Sequence, residues 1–374
     1  MAVSAGVEAL LLYLLAWLLA TAAFRGRRGR LEVSPVAVLL RFRAQLGPWR
    51  GRLARGVSLA GYASVALAYL VMGLFYYLML ATFWVKYVAR PPGASGLGVV
   101  PLIPGVTVPL SVLPHVLIAL GIAAALHELA HAVAARAEGL SVKNVGLALF
   151  IFVPAAFVEL DEEELARAPL ASKLKVYSAG VTANVILYLL FLGLAGALPC
   201  TTLSHGVSVI SVAPNSPAAN ATIAGLPGHG LQKGDVIIGV NGVRVYCIKQ
   251  LAAAFERAGV KEPGRAVNLT LYIIRNGKPY TVYIYKPANH TLIGITIIDK
   301  YTTAGLLVYS SIMLNLALAL INAGPLFITD GAKMLDEPLS KLAGQQGRLV
   351  SAGIQAATLL LIFSLLTLKP ILPG

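Results

Sequence analysis

Long apolar runs separated by short polar segments dominate the hydropathy pattern of this chain. Six runs are long enough to cross a bilayer as helices, which takes about 20 residues: Val7–Phe24, Val57–Val85, Val112–Ala135, Val176–Leu198, Ala304–Asn322 and Leu349–Leu368. The first run does not read as a signal peptide, because Glu8 replaces the basic segment and no small-residue cleavage site follows. The pattern predicts an α-helical multi-pass membrane protein with six spans.

Residues 201–300 have the alternation of β-strands rather than the uniform apolarity of spans. The run Gly206–Val212 alternates in this way and leads into a turn cluster. The pairs Asn241-Gly242 and Asn276-Gly277 each join two strand-like runs, as in tight β-hairpins. A helical stretch, Ile248–Ala258, lies between them. These elements predict an α+β domain inserted between the fourth and fifth spans.

Part of this insert, Gly234-Asp-Val-Ile-Ile-Gly-Val-Asn-Gly242, follows a Ser-Pro turn and resembles a PDZ domain. The resemblance implies a groove that takes a peptide or a C-terminus by adding a strand to a sheet edge. A generic β-rich module is the alternative, and Gly225–Gly230 is longer than a PDZ turn requires. The predicted domains are residues 1–110 with two spans and an Arg-rich cytoplasmic loop, 111–199 with the third span, a re-entrant strand region and the fourth span, 200–301 with the PDZ domain, and 302–374 with the last two spans.

Composition agrees with a membrane protein, since 57% of the 374 residues are hydrophobic and 12% are charged. Soluble domains carry about 25% charged residues. The net charge of +14 is compatible with nucleic-acid binding, but nine arginines lie between Arg25 and Arg55, directly after the first span, without an aromatic-interleaved motif. Short Arg-rich segments beside spans stay in the cytoplasm and contact anionic lipid. We therefore expect a lipid bilayer as partner and no nucleic acid.

Alternation of the spans from a cytoplasmic Arg25–Arg55 places Thr201–Lys300 outside the cytoplasm. Three Asn-x-Thr sequons lie in that segment, at Asn220, Asn268 and Asn289. Cys200 and Cys247 lie at its start and middle, where a disulfide could persist, although two unrelated thiols are the alternative. The compact chain with few cysteines suggests a prokaryotic cell membrane. We expect the PDZ domain to be extracytoplasmic.

The candidate chemistry begins with His127-Glu-Leu-Ala-His131, inside the third span. This spacing places two imidazoles one helical turn apart on one face, where both can bind one zinc ion. Glu128 lies beside them as a general base for a zinc-bound water. A polar face packed in a helix bundle is the alternative, but two His and a Glu at membrane depth are costly unless they form a site.

A catalytic zinc site takes three protein ligands, so a third is needed. The fifth span ends in Asn322-Ala-Gly-Pro-Leu-Phe-Ile-Thr-Asp-Gly331, and Gly324 and Pro325 should break the helix there. Asp330 ends an inward-running span, and His127 lies about 22 Å into another at 1.5 Å per residue, so both reach the inner side. We therefore assign Asp330 as the third ligand and place the site toward the cytoplasm.

The apolar segment Leu147–Leu160, with Pro154, lies between the third and fourth spans on the inner side. It suits a β-hairpin that dips into the membrane and lines a protein cavity, where strands are tolerated. Its edge could hold an unwound substrate in extended form. A plain interfacial loop is the alternative.

The H-E-x-x-H span, the later N-x-x-P-x(4)-D-G segment and the PDZ insert together resemble the site-2 protease family of intramembrane zinc metalloproteases. The resemblance covers roughly Val112 to Asp336, and Val153–Val158 and Tyr177–Asn184 match it most closely in the animal branch. It departs from many bacterial members at Phe327, where they have a second proline.

This resemblance implies that His127, His131 and Asp330 bind zinc and that Glu128 activates water. It implies substrate-binding roles for Asn184 and Asn322, although either could be an interhelical hydrogen bond. The expected activity is endoproteolysis of transmembrane segments, as in regulated intramembrane proteolysis, on membrane proteins already cut once. The alternatives are a catalytically silent PDZ scaffold, against which the intact ligand set argues, and a zinc transporter, whose internal repeats are not found.

Overall fold

A computed structural model of the protein describes residues 2–91, 94–151, 153–225 and 230–368. The chain divides into two compact units. The first, here called the membrane unit, comprises Met1–Leu192 and Tyr309–Gly374. The second, here called the β-domain, comprises Gly193–Val308. The insert predicted at residues 200–301 therefore falls inside the second unit.

Apolar helices form most of the membrane unit, and two of them run on into the β-domain. In chain order the helices are α1 (Ala2–Ala23), α2 (Arg52–Phe83, continued as a π-helix over Trp84–Ala89), α3 (Leu113–Ala137), α4 (Glu162–Arg167), α5 (Leu170–Ala197), α6 (Cys200–Leu203), α7 (Ile248–Arg257), α8 (Thr303–Ala323) and α9 (Asp330–Leu365). A short 3-10 turn covers Ala94–Gly96.

Among the described residues, five helices are long and apolar enough to cross a membrane: α2 with its π-helical end, α3, α5, α8 and α9. The apolar part of α1, Leu11–Ala23, is shorter. The chain is therefore a multi-pass membrane protein that carries a β-rich domain. The sixth predicted span, Val7–Phe24, stays a prediction.

The last helix differs from the sequence prediction at its beginning. The hydropathy pattern predicts a span only from Leu349 to Leu368, but α9 already begins at Asp330. A break at Gly344, with φ 55° and ψ −127°, divides it into two helical parts. The polar residues before the break gave no apolar signal, which is why the hydropathy pattern missed this part.

A five-stranded antiparallel sheet completes the membrane unit. Its strands, in spatial order, are β1 (Gly26–Arg28), β2 (Leu31–Val33), β3 (Ala37–Leu46), β4 (Val142–Phe150) and β5 (Val153–Leu160). The Arg-rich segment is thus largely strand rather than a loop, and Arg41 in β3 pairs with Glu32 and Glu159 at 2.9 and 3.2 Å. The last two strands form the hairpin expected at Leu147–Leu160, and it begins five residues earlier, at Val142.

The β-domain contains the other seven strands in one sheet. They are β6 (Ser204–Val212), β7 (Thr222–Ile223), β8 (Val236–Val240), β9 (Val243–Arg244), β10 (Val267–Arg275), β11 (Lys278–Lys286) and β12 (Ile295–Tyr301), in the order β12-β6-β8-β10-β11-β7, with β9 paired to β8. Both predicted hairpins are confirmed. The left-handed φ angles at Asn241-Gly242 (47° and 81°) and at Asn276-Gly277 (50° and 77°) are those that two-residue type I′ turns require.

Branched aliphatic side chains fill the core of the β-domain, with Ile237, Leu251, Leu271 and Ile273 fully buried. Asp235, also buried, receives two hydrogen bonds of 2.6 Å from Arg275, so its charge is paired. Cys200 and Cys247 are bonded to each other, which ties α6 to the start of α7.

Candidate metal centre

His127 and His131 lie on one face of α3, as their spacing predicts. Their Nε2 atoms are 3.2 Å apart. The side chains are only 9% and 12% exposed, so bulk water cannot supply hydrogen bonds to these nitrogen atoms. One helical turn has therefore brought two nitrogen donors together in a nearly dry environment.

Asp330 reaches the two imidazoles because the chain turns sharply between α8 and α9. The hydroxyl of Thr329 donates to the carbonyl of Gly324 at 2.7 Å and accepts the N–H of Ala332 at 3.3 Å, so it closes the turn and caps α9. A side chain at Gly331 would collide with the carbonyl oxygen of Ala323. The Thr-Asp-Gly sequence thus places Asp330 at the first position of the helix.

The Oδ2 atom of Asp330 lies 3.2 Å from each Nε2 atom of His127 and His131. The three donor atoms therefore form a triangle with equal sides. Donors bound tetrahedrally to one zinc ion at about 2.0–2.1 Å are roughly 3.3 Å apart, so this triangle fits that ion. Asp330 Oδ2 is buried and has no hydrogen-bond partner among the described residues. A buried oxygen is expected to lack such a partner when it binds a metal ion instead. The donor set and its geometry fit zinc.

Asn184, on α5, orients the first imidazole. Its side-chain oxygen lies 2.6 Å from His127 Nδ1, and its amide nitrogen donates to Asn315 Oδ1 at 3.0 Å. The amide nitrogen of Asn315 donates in turn to the carbonyl of Ser311 at 2.8 Å. Because that carbonyl can only accept, the donor and the acceptor of every hydrogen bond in this series are fixed. His127 therefore carries its proton on Nδ1 and leaves Nε2 free for a metal.

His131 is oriented by a backbone carbonyl. Its Nδ1 lies 2.7 Å from the carbonyl oxygen of Val176, so this nitrogen carries the proton and Nε2 stays free. The neighbouring Lys175 is buried against Glu138 at 3.1 Å, which holds the start of α5 beside the end of α3. Burial opposes ionisation of Glu138, but hydrogen bonds from Ser58, Ser172 and Lys175 prevail and lower its pKa.

Gly180 leaves the space in which the ligand nitrogens lie. A Cβ atom at this position would be 2.5 Å from Nε2 of His127 and 2.5 Å from Nε2 of His131. Such contacts are far inside van der Waals distance, so any larger residue would push the imidazoles away. The glycine lies four residues before Asn184, on the same face of α5.

Glu128 lies at the edge of the site and is only partly buried. Its ligand atom and those of His127 and His131 all lie within 4.8 Å of one another. Its Oε2 atom accepts the backbone N–H of Val158, in β5, at 3.1 Å. The hairpin therefore positions this carboxylate beside the donor triangle but outside it.

The structure brings together five of the six predicted site residues: His127, Glu128, His131, Asn184 and Asp330. Asn322 lies at the end of α8, and its half-buried side chain forms no hydrogen bond to any described residue.

The sequence interpretation missed Asn315, Gly180 and Thr329 as parts of the site. Asn315 could have been found, because it is a second asparagine inside the apolar span that ends at Asn322.

A sequence profile of peptidase family M50 matches residues 115–366. An uncharacterized protein of Methanocaldococcus jannaschii is 30% identical over 271 residues, which are 70% of this chain and 66% of that protein. A membrane-bound transcription factor site-2 protease homolog of Arabidopsis thaliana is 29% identical over 194 residues, 48% of this chain and 35% of that protein. The chain thus spans less than two thirds of the length of either relative.

The profile match covers more than half of the chain and contains every residue of the site. The chain belongs to peptidase family M50, the site-2 protease family. M50 is a family of intramembrane zinc metalloproteases. In this chain, His127, Glu128 and His131 form a cluster close enough together for a metal site, and Asp330 lies against both histidines.

Proposed function

We propose that the protein is a zinc-dependent endopeptidase that cuts transmembrane segments of other membrane proteins. The observation that carries this proposal is the convergence of His127, His131 and Asp330, whose donor atoms are each 3.2 Å apart. These three residues would hold the ion. Zinc held by these residues would lower the pKa of a bound water to about 7 and would act as a Lewis acid on a carbonyl group.

Glu128 is the general base. Its carboxylate is close enough to the donor triangle to take a proton from water and to pass it to the leaving amine. The hydrogen bond from Val158 N–H fixes one oxygen and leaves the other available. Asn184 acts through His127 rather than on the substrate, since its oxygen and its amide nitrogen both have buried partners. Asn322 has a side chain without such a partner among the described residues and is our candidate for a substrate contact.

The substrate segment binds in extended form along β5. This strand is the edge of its sheet, and its Val158 contacts Glu128. An edge strand offers unpaired backbone groups to an added strand. A transmembrane segment unwound on this edge would present a peptide bond at the general base.

The β-domain is an extracytoplasmic PDZ domain in this proposal, and the chain has six spans with the site toward the cytoplasm. The Cys200–Cys247 disulfide supports an oxidising side for the β-domain, and the arginines after α1 support a cytoplasmic location for that segment. A cavity of about 620 Å³ between α7 and β12 is wide enough for a peptide or C-terminus. Substrates with large external domains would need an earlier cut, as in regulated intramembrane proteolysis.

The test is zinc content together with cleavage of a transmembrane substrate by purified protein. His131→Ala should lose the ion and the activity, while Glu128→Gln should keep the ion and lose the activity. His115→Ala is the matched control, because His115 lies on the same helix away from the triangle and should keep both.

Full proteolytic activity of the Glu128→Gln variant would exclude Glu128 as the general base. Zinc binding by the wild-type protein without cleavage of any transmembrane substrate would favour a silent scaffold. Retention of zinc by both His131→Ala and Asp330→Ala would contradict the ligand assignment.

A further inference from the structure

The asparagines of the β-domain are distributed unlike those of the membrane unit. Of the six asparagines within residues 201–300, three begin an Asn-x-Thr sequon, and none of the four elsewhere in the chain does. The three are Asn220, Asn268 and Asn289, and all three side chains are exposed. Sequons in which the asparagine is exposed are acceptors for N-linked glycans.

The Asn268 and Asn220 sequons lie on opposite sides of strand β11. In β10, Asn268 and Thr270 both face outward, as alternate residues of a strand do, while Leu269 between them is buried. Tyr285 of β11 is the register partner of Asn268, and Tyr283 is the partner of Thr270. On the other side of β11, Tyr283 is the partner of Thr222, which completes the Asn220 sequon.

These residues form one shallow depression. A cavity of about 450 Å³ is lined by Asn220, Asn268, Tyr283, Tyr285 and His290, among others. The two tyrosines are 53% and 61% exposed, so they offer aromatic surface next to both asparagines. Exposed aromatic faces gain from being covered, and a carbohydrate ring presents apolar C–H groups that can cover them.

The third sequon lies on an anchored turn at the rim of this depression. The N–H of His290 donates to the carbonyl of Pro287 at 3.1 Å, which forms the turn. Lys286 is fully buried and donates to the carbonyls of His290 and Arg265 at 2.7 Å each. The turn is therefore held from beneath while Asn289 points to solvent.

We propose that the β-domain carries N-linked glycans at Asn220, Asn268 and Asn289, on a glycosylated face formed by β10, β11 and β7. An oligosaccharyltransferase would use a lipid-linked (pyro)phosphate glycan as donor. The C1–O bond to the lipid phosphate breaks, a C1–N bond to the asparagine amide forms, and the amide loses a proton to a base of the transferase. The lipid (pyro)phosphate leaves. The proposal rests on the extracytoplasmic location proposed above.

The glycosylated face lies away from the peptide cavity in the sheet. The strand order runs from β12 at one edge to β7 at the other, and the peptide cavity lies against β12. Glycans beside β7 would thus leave the groove between β12 and α7 open. They would also shield the short edge strand from pairing with other chains, a task that proteins usually give to charges or bulges.

The test uses the full-length protein, produced in a host whose secretory membranes contain an N-oligosaccharyltransferase. Intact mass before and after enzymatic deglycosylation should reveal three glycans. Thr222→Ala, Thr270→Ala and Thr291→Ala should each remove one of them, although each leaves its asparagine in place. Thr270→Ser, which keeps the sequon, should retain all three. Asn276→Gln, which changes a hairpin asparagine outside any sequon, should retain all three as well.

A single cysteine-reactive position on the same domain separates failure of this proposal from failure of the topology. Lys278→Cys lies at an exposed hairpin end and can be labelled from either side of sealed vesicles. Labelling from outside together with unmodified asparagines would overturn the proposal while leaving the topology intact. Labelling only from the cytoplasmic side, with no glycan, would overturn both. Absence of a glycan at one asparagine alone would overturn the proposal for that site.

Discussion

The membrane unit and the β-domain differ in the small and polar side chains that they bury. In the β-domain, large aliphatic residues are fully buried, and charged residues lie mostly outside. In the membrane unit, the main buried cluster contains four alanines, at 68, 135, 319 and 323. Large leucines such as Leu190 and Leu360 point outward, at 61% and 70% exposure. Its buried polar residues include Asn184, Asn315 and Asp330.

The difference follows from the solvent around each unit in our proposal, which is water for the β-domain and lipid for the membrane unit. Water drives apolar side chains into the β-domain core. Lipid provides no such drive between helices, so small residues and buried hydrogen bonds hold them together. The polar groups that build the metal centre are therefore the same groups that pack α3, α5 and α8. Four predictions test this contrast.

The largest effect is expected from one substitution made in both interiors. Leu271→Ala, at a fully buried position of β10, should destabilise the β-domain by about 2–5 kcal/mol, because it leaves a cavity. Leu190→Ala, on the lipid-facing side of α5, should destabilise the membrane unit by much less than this, because an exposed leucine loses few packing contacts. Hydrogen exchange of β10 amides in the full-length protein measures the first effect.

Zinc content should be unchanged in both leucine variants. A similar loss of stability from both substitutions would mean that the two interiors are not held by different forces.

The second effect concerns a single methyl group at the metal centre. Gly180→Ala should weaken zinc binding by roughly 1–3 kcal/mol, or about 5- to 150-fold, because the new Cβ overpacks the two imidazoles. Gly193→Ala on the same helix is the matched control, since nothing lies within 4 Å of its Cβ position. Zinc affinity by competition with a chelator is the measurement. Equal affinities of the two variants would contradict the close contact.

Spacing and hydropathy predicted those parts of the molecule that depend on local sequence. The His127–His131 pair follows from helical geometry, and the two hairpins follow from Asn-Gly turns. Asp330 could be assigned because Gly324 and Pro325 predict the end of α8 on the same side of the membrane as His127. In each case a few neighbouring residues decide the outcome.

The parts that could not be predicted depend on contacts between distant segments. The strand β3 alternates over Leu40–Leu46, but its partner β4 is about a hundred residues away, so its charge suggested a loop. Asn315 orients Asn184 across two helices, a pairing that no spacing within one helix reveals. Gly180 matters because of what faces it, which only the packing of α3 against α5 shows.

A third, smaller effect is expected from the hydrogen-bond chain behind His127. Asn315→Ala should reduce zinc affinity about 10-fold, at the low end for residues that orient a ligand, because Asn184 loses one of its two partners. Asn322→Ala should leave zinc affinity unchanged and lower cleavage, since it is the proposed substrate contact on the same helix. Reduced zinc affinity in Asn322→Ala together with normal affinity in Asn315→Ala would make Asn322 the orienting residue and Asn315 the substrate contact.

The smallest effect is a pH dependence in the β-domain, at the half-buried carboxylate of Asp299. Burial raises the pKa of Asp299 above its ordinary 3.8, although the N–H of Ile248 donates to it at 2.6 Å and opposes the shift. Because the folded pKa is the higher one, the contribution of Asp299 to stability is complete below the ordinary value. It is lost as the pH rises through the folded pKa.

Asp299→Asn keeps an acceptor for Ile248 and removes the titration, so the variant should become the more stable protein as the pH rises above about 4. Hydrogen exchange of the first turn of α7 and of β12, compared between the two proteins at each pH, cancels the intrinsic pH dependence of exchange. A difference that stays constant across this range would mean that Asp299 is as well solvated as the carboxylates at the surface. The titration of this half-buried carboxylate would then contribute nothing to the stability of the β-domain, and the contrast with the membrane unit would rest on the apolar core alone.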